Sequence, residues 1–320
     1  MARPRICPMI RAKKYGTIAA IAIVALLILK FILLDRSPVP ETSPEAVNLK
    51  LVRALARASR GELPQSLHVL IIAEGAFPKS AVIAGEGLFK KKPMVFDSFQ
   101  AVYADKKTVI IDTAMDAAGV EKMSKGMPFF ADRYAAMQTA MTKAERIILT
   151  HEHPDHMGGI GKTEAMDKIK DRLLLTKEQI DDPYRDKSYF TEDNIRAISS
   201  VKPLEYDPYF SPAPGIVLIR AAGHSAGSQM IYVALKNGEE YLFVGDIVWS
   251  MENLEKLKGK PYLMNAAGFL KEDRAKVAAQ IRFLHNLTAD PENKIHVVVA
   301  HDLEQVKDYI SKGIVAEGFL

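Results

Sequence analysis

The chain has 320 residues, 48% of them hydrophobic and 26% charged, an ordinary globular composition that excludes disordered, collagen-like and low-complexity readings. A single cysteine, Cys7, excludes an internal disulfide and a cysteine-liganded zinc site in the body of the chain. The net charge of +4 sits at the amino end: within residues 1–36, Arg3, Arg5, Arg11, Lys13, Lys14, Lys30 and Arg36 stand against Asp35 alone, so the remainder is slightly acidic and offers no platform for nucleic acid.

Residues 1–15 form a basic segment, and residues 16–34 are apolar except for Lys30. Nineteen residues at roughly 1.5 Å each span about 28 Å, close to the hydrocarbon core of a bilayer. Lys30 is near the end of the run, where its side chain can snorkel to the interface. The basic flank predicts a cytoplasmic amino terminus and an extracytoplasmic remainder, periplasmic in a Gram-negative bacterium. A cleaved signal peptide is the rival reading; Leu33-Leu34-Asp35-Arg36-Ser37 offers no small-x-small cleavage site, which favours an uncleaved signal anchor.

Residues 35–65 read as a proline-rich linker followed by a helix over Glu45–Ser59, with Ser43 as N-cap, Pro44 in the first turn, and Leu51 and Leu55 on one face. From residue 66 to 320 short apolar runs alternate with helical patterns. The expected strands are Leu67–Ile72, Ala81–Ala84, Phe99–Tyr103, Thr108–Ile111, Arg146–Leu149, Arg172–Leu175, Ile216–Ile219, Met230–Leu235, Tyr241–Val244 and Ile295–Val299. Asn237-Gly238 predicts a tight hairpin, and the expected helices are Asp132–Met141, Thr191–Ser199, Glu272–Leu287 and Leu303–Ser311. Hairpins interspersed with helices predict a mixed α/β domain.

The most informative stretch is Thr150-His151-Glu152-His153-Pro154-Asp155-His156-Met157-Gly158-Gly159, directly after an apolar strand. His151 and His153 can point to one metal, while Asp155 and His156 turn toward a neighbouring one. His224, Asp246 and His301 each stand just beyond the end of an apolar run. Strands ending at one rim of a sheet would bring all seven residues together, and imidazoles packed so densely need a shared partner.

The Thr-His-x-His-x-Asp-His motif with its Gly-Gly, the Gly-His-Ser-x-Gly-Ser turn at 223–228, Val-Gly-Asp at 244–246 and Ala-His-Asp at 300–302 resemble the metallo-β-lactamase superfamily. Ile110-Ile111-Asp112-Thr113 is similar to its early strand-turn, with Ala114 where glycine is usual. The resemblance implies an αββα sandwich of two β/α halves. By position it implies a first metal on His151, His153 and His224, a second on Asp155, His156 and His301, and Asp246 bridging both. Two divalent ions follow, zinc by default, with iron or manganese as alternatives. A hydroxide shared by the ions would attack the substrate, Asp155 could pass a proton, and Asp112 would orient a ligand or the water.

A bridging aspartate and the lack of a cysteine ligand argue against β-lactam hydrolysis. The short stretch after His301 leaves no room for the helical substrate domain of glyoxalase II-type thioesterases. The homoserine-lactonase branch fits best, which implies a lactone or other carboxylic ester as small-molecule substrate; a phosphodiester or a thioester is the alternative. Trp249 stands where that branch usually has tyrosine, and is expected to wall the site. The segments 77–92, 128–130 and 181–190, with Tyr206, Tyr209 and Phe210, are candidates for shaping it. Lys256, Lys258 and Lys260 are the basic residues that a phosphodiester would need.

Overall fold

The computed structural model describes residues 8–43, 47–181 and 188–320. Two sheets stack face to face. The first has the order β11-β1-β2-β3-β4-β5, from β1 (Ser66–Pro78), β2 (Lys91–Val102), β3 (Thr108–Ile111), β4 (Arg146–Ile148), β5 (Leu173–Leu174) and β11 (Ala316–Glu317). The second has the order β10-β9-β8-β7-β6, from β6 (Tyr209–Ala213), β7 (Ile216–Arg220), β8 (Gln229–Ala234), β9 (Glu240–Phe243) and β10 (Ile295–Val298).

Strand alternation explains the layering. Ile216 and Leu218 of β7, Ile231 and Val233 of β8, and Tyr241 and Phe243 of β9 face Val69, Phe99, Val109 and Ile111 in the core between the sheets. Their neighbours Val217, Ile219, Tyr232 and Leu242 point outward against Val277, Ile281 and Leu284 of the helix Arg274–Ala289. On the far face of the first sheet, Ile72, Ile110 and Ile147 pack on Met137, Met141, Met157 and Ile160. Both faces of these strands are buried, so their sequences read as continuous apolar runs. Parallel helix crossovers join β3 to β4 through Ala131–Met141 and β4 to β5 through Pro154–Gly161 in the first sheet, and β9 to β10 through Arg274–Ala289 in the second. Helices outside, sheets inside, in two β/α halves, is the αββα sandwich expected.

Several expectations need correction. Ala81–Ala84 is not a strand: Lys79–Val82 is a helical turn within the long connection of the β1–β2 hairpin. The two strands run on to the pair Pro78 and Lys91, so this apolar run caps a hairpin instead of extending a sheet. Leu67–Ile72 and Phe99–Tyr103 are parts of longer strands with a register shift between Ile71 and Ala73, where polar and proline positions hid the extension. Tyr209–Ala213 was hidden by Pro212, which an edge strand tolerates. The predicted N-cap is also displaced: the helix spans Leu49–Ala58 and Asn48 accepts from Leu51 N at 3.1 Å, while Ser43 donates to Ala279 O. Pro44 and Glu45 lie outside the described residues. The buried stripe of that helix is Val52 and Ala56, with Leu51 exposed. Asn237-Gly238 does form the β8–β9 turn, with Gly238 at φ +97°.

At the amino end, the helix Pro8–Lys30 continues into a π-helical segment, Phe31–Asp35. Among the described residues it is the one helix long and apolar enough to cross a membrane.

Candidate metal centre

All seven predicted ligands meet at one rim, where β4, β7, β9 and β10 end. The helix Pro154–Gly161 starts directly after His153, with Pro154 in its first turn and Asp155 at its positive end. Its backbone passes so close to Thr113 that a Cβ on Gly159 would lie 2.2 Å from Thr113 O. Glu152 accepts from Gly227 N at 3.0 Å and ties this loop to the one holding His224.

The donor atoms fall into two groups. His151, His153, His224 and Asp246 form one, and Asp155, His156, Asp246 and His301 the other; within each, the atoms lie within 4.8 Å of one another. His153 Nδ1 is 3.1 Å from His151 Nε2 and 3.0 Å from His224 Nε2. Asp246 Oδ2 lies 3.4 Å from His224 Nε2, and its Oδ1 lies 3.3 Å from His156 Nε2 and 3.1 Å from His301 Nε2. Asp246 alone belongs to both groups.

Outer hydrogen bonds fix which nitrogen faces inward. His224 Nδ1 donates to Glu272 Oε1 at 2.8 Å, His301 Nδ1 to Val95 O at 2.8 Å, and His156 Nδ1 to Asp112 Oδ2 at 2.9 Å. Thr150 Oγ1 donates to Asp112 Oδ2 at 2.8 Å, which leaves it to accept from His151 Nδ1 at 3.2 Å. Each of these imidazoles spends one N–H outward, so that its other nitrogen faces the group and is available to a cation. His156 Nε2 and Asp246 Oδ1 are buried with no hydrogen-bond partner, as expected of atoms that serve a metal. The residues present therefore fit a pair of divalent ions.

Electrostatics agree. Burial, then the neighbouring His156 charge, holds His151 well below the ordinary imidazole range, and burial with His224 pushes His153 down to about 3. Burial would also lower His301, but Asp246 and Asp155 overcome it and raise the ring to about 10. Likewise Asp112, Asp155 and Asp246 outweigh burial and hold His156 well above its usual value. Without metal, the carboxylates recruit protons onto these two rings; a divalent ion supplies that positive charge instead.

Asp112 sits at the end of β3 with φ +57° and also accepts from Thr150 N at 2.7 Å. It touches no inward donor atom and orients His156. Asp112→Asn is expected to weaken the group containing His156 by about 10–100-fold in metal affinity, and the group containing His151, which Asp112 reaches only through Thr150, by less, as read by titrating the metal-free protein with zinc. Equal loss at both groups would contradict that positioning role.

Trp249 is not only a wall. Its indole N–H donates to Asp246 Oδ2 at 2.7 Å while its ring lines the cavity above the donors. That cavity, about 750 Å³, is also lined by Phe77, Met94, Tyr189, Met264, Phe269 and Leu270. Of the segments expected to shape it, 77–92 contributes Phe77, Pro78 and Ala81, and 181–190 contributes Tyr189, with 182–187 outside the described residues. Residues 128–130 do not reach it: Phe130 N donates to Ile72 O, and Phe129 packs on the first sheet. Tyr206, Tyr209 and Phe210 pack elsewhere, against the cores.

Sequence reasoning missed Glu272 and Asp97, and took Lys260 for a rim residue suited to a phosphodiester. Lys260 Nζ, fully buried, lies 2.7 Å from Glu272 Oε1 and 2.5 Å from Asp246 O, so it supports the site from behind instead of facing substrate. Lys256 is engaged by Glu86 at 2.8 Å and Glu252 at 2.9 Å. Asp97 lies on β2, where burial, with Asp112 adding, pushes its carboxyl up to about 7 against the pull of His301. No local pattern marks Glu272, Asp97 or the burial of Lys260.

The comparisons fit this geometry. The family model described as the metallo-beta-lactamase superfamily matches residues 98–291. A quorum-quenching N-acyl homoserine lactone lactonase superposes with a TM-score of 0.57 at 16% identity, covering 77% of this chain and 95% of that one. An N-acyl homoserine lactone hydrolase with N-hexanoyl-L-homoserine at its catalytic metal centre gives 0.57 at 15% identity, covering 77% and 96%. A probable metal-dependent hydrolase from Staphylococcus aureus gives 0.55 at 15% identity, covering 76% and 91%. These identities speak for the fold alone. No curated protein matches significantly. With a family model over more than half its length, the chain belongs to the metallo-β-lactamase superfamily and is a metal-dependent hydrolase of that fold.

Proposed function

We propose that the chain is a membrane-anchored hydrolase that cleaves a lactone or another carboxylic ester at a dinuclear centre. Residues 1–15 are cytoplasmic, 16–34 span the membrane, 35–65 link, and 66–320 form the extracytoplasmic catalytic domain. His151, His153 and His224 hold one ion, Asp155, His156 and His301 the other, and Asp246 bridges; zinc suits these imidazole and carboxylate donors. The observation that carries this reading is a pair of donor groups sharing one carboxylate at the floor of an apolar cavity.

Divalent ions held there would polarise a carbonyl oxygen and bring the pKa of a water toward neutrality. The chain's own residues do the rest. Asp246 is held by the Trp249 N–H, so its two oxygens stay directed at the two groups. Asp155 lines the cavity with Oδ2 3.4 Å from His301 Nε2, a position from which to take a proton from the attacking water and pass it to the leaving oxygen. Trp249, Phe96 and Leu270 exclude water around the reacting bond. Since the Trp249 N–H is already used, it is not the donor that a tyrosine hydroxyl would offer to the substrate carbonyl.

A phosphodiester is disfavoured as substrate because Lys256 and Lys260 are engaged by carboxylates and only Lys122 among the described lysines lines the cavity. The test is a side-by-side assay of the zinc-loaded full chain on an acyl lactone, an ester, a thioester, a β-lactam and a phosphodiester. Lactone or ester turnover that is lost on chelation and restored by zinc is the expected result. Preferential phosphodiester turnover would overturn the assignment.

A further inference from the structure

Outside the amino-terminal helix, the described residues include eight large apolar side chains that are well exposed: Leu51, Leu88, Phe89, Met123, Tyr262, Leu263, Phe269 and Leu320. Six of them, all but Leu51 and Leu320, lie in segments that border the cavity or the end of the apolar helix. Phe89 is 99% exposed and Phe269, a cavity-lining residue, 73%. Single exposed apolar residues need no explanation, but a cluster around one opening does.

The end of the helix is tied to these same segments. Leu34 O accepts from Gly85 N at 2.9 Å, in the 79–90 connection that carries Leu88 and Phe89. Ser37 Oγ accepts from Gly259 N at 2.8 Å, and Ala84 N donates to Gly259 O at 3.0 Å, joining the two loops. The helix Tyr262–Ala266 packs on Phe31–Asp35. Each segment thus meets the helix end on one side and lines the cavity on the other, through Ala81 and through Met264 and Phe269. The depth at which the helix leaves hydrocarbon fixes the depth of the cavity mouth. Exposed Lys90, Lys91 and Lys271 flank the apolar groups, a composition suited to the headgroup level.

We propose that the rim carrying Phe89 and Phe269 seats in the leaflet that receives the amino-terminal helix, and that the cavity draws from that leaflet an amphiphile whose ester or lactone head carries a long acyl chain. This rests on the anchored carboxylic-ester reading above. The head reaches the donors beside Trp249, and the chain runs past Met264 and Leu270 to Phe269 and the lipid.

The test uses the full chain in phosphatidylcholine–phosphatidylglycerol vesicles. In a Cys7→Ser background, an environment-sensitive NBD label is placed at Phe89→Cys and, as control, at Asp105→Cys in the β2–β3 turn. The label at 89 is expected to emit at shorter wavelength and to be quenched by doxyl lipid, and the label at 105 to do neither. Identical behaviour at both positions would overturn the docking. Phe89→Asp, outside the cavity, is expected to lower kcat/KM for a dodecanoyl ester about tenfold and leave a butanoyl ester unchanged, because a carboxylate resists entry into the bilayer. Equal effects on both esters would overturn the route of entry. If no ester or lactone is cleaved while the label at 89 is embedded, the carboxylic-ester reading falls and takes the substrate with it, but the docking surface stands.

Discussion

Asp246→Asn is expected to lower hydrolysis about 10³-fold and to reduce bound zinc from two ions per chain to one or fewer, a loss typical of removing a charged group aimed at the reacting centre. Among the described residues, Asp246 is the one that offers an oxygen to both donor groups. Asparagine keeps the shape but replaces one of those oxygens with an NH2, which repels a cation, and removes the charge that faces His156 and His301. Metal content by elemental analysis and turnover should fall together. The same experiment probes stability. Ligand binding at a thousandfold over its dissociation constant adds about 4 kcal/mol, which for a domain of this size is a melting shift of about 10 °C. Chelation should produce that drop in the unaltered protein and a smaller one in Asp246→Asn. Two bound ions and turnover within tenfold of normal would refute the bridging role.

Lys260→Met is expected to destabilise the fold by about 3–5 kcal/mol, the usual result of stranding one partner of a buried ion pair. Lys260 and Glu272 have side chains 0% and 2% exposed, and Glu272 Oε1 also accepts from His224 Nδ1. Removing the ammonium leaves an ionised carboxylate in the interior. The effect should depend on pH in a defined direction. Against burial, which would raise it, Lys260 and His224 hold the Glu272 carboxyl at about 2, below its ordinary 4.5. Its contribution is therefore full above pH about 4.5 and fades as the pH falls through about 2. The difference between Lys260→Met and the unaltered protein should be largest near pH 7 and shrink in acid. Urea melts at both ends of this range measure it. Adding Glu272→Gln to Lys260→Met should recover part of the loss, since no unpaired charge then remains.

How much of this was legible in the sequence depended on the range of each interaction. The seven donors could be anticipated because each stands two to seven residues beyond an apolar run, and strand ends are where a sheet gathers side chains. Asp112 was visible for the same reason. Lys260 could be read only as one of three lysines suited to a phosphodiester, and Glu272, beside Lys271 and Asp273, not at all, because only tertiary burial separates the two from solvated neighbours. Ala81–Ala84 misled because a buried apolar run of four fits a strand or a helical turn equally well, and the decision belongs to the hairpin that it caps. The Trp249 position could be read as a departure from a pattern, but not the hydrogen bond by which its indole serves Asp246.

The placement of the donors has a mechanical corollary. Each group takes residues from both sheets: His151, His153, Asp155 and His156 follow β4 in the first, while His224, Asp246 and His301 follow strands of the second. Metal bound as proposed would rivet the layers together and close the chain from His151 to His301, a clip that gains from spanning a long loop. Sliding of one layer over the other is then denied to the loaded enzyme. Outside the rivet lie the connections at 79–90 and 262–270, which are held by the end of the amino-terminal helix instead of by the metal.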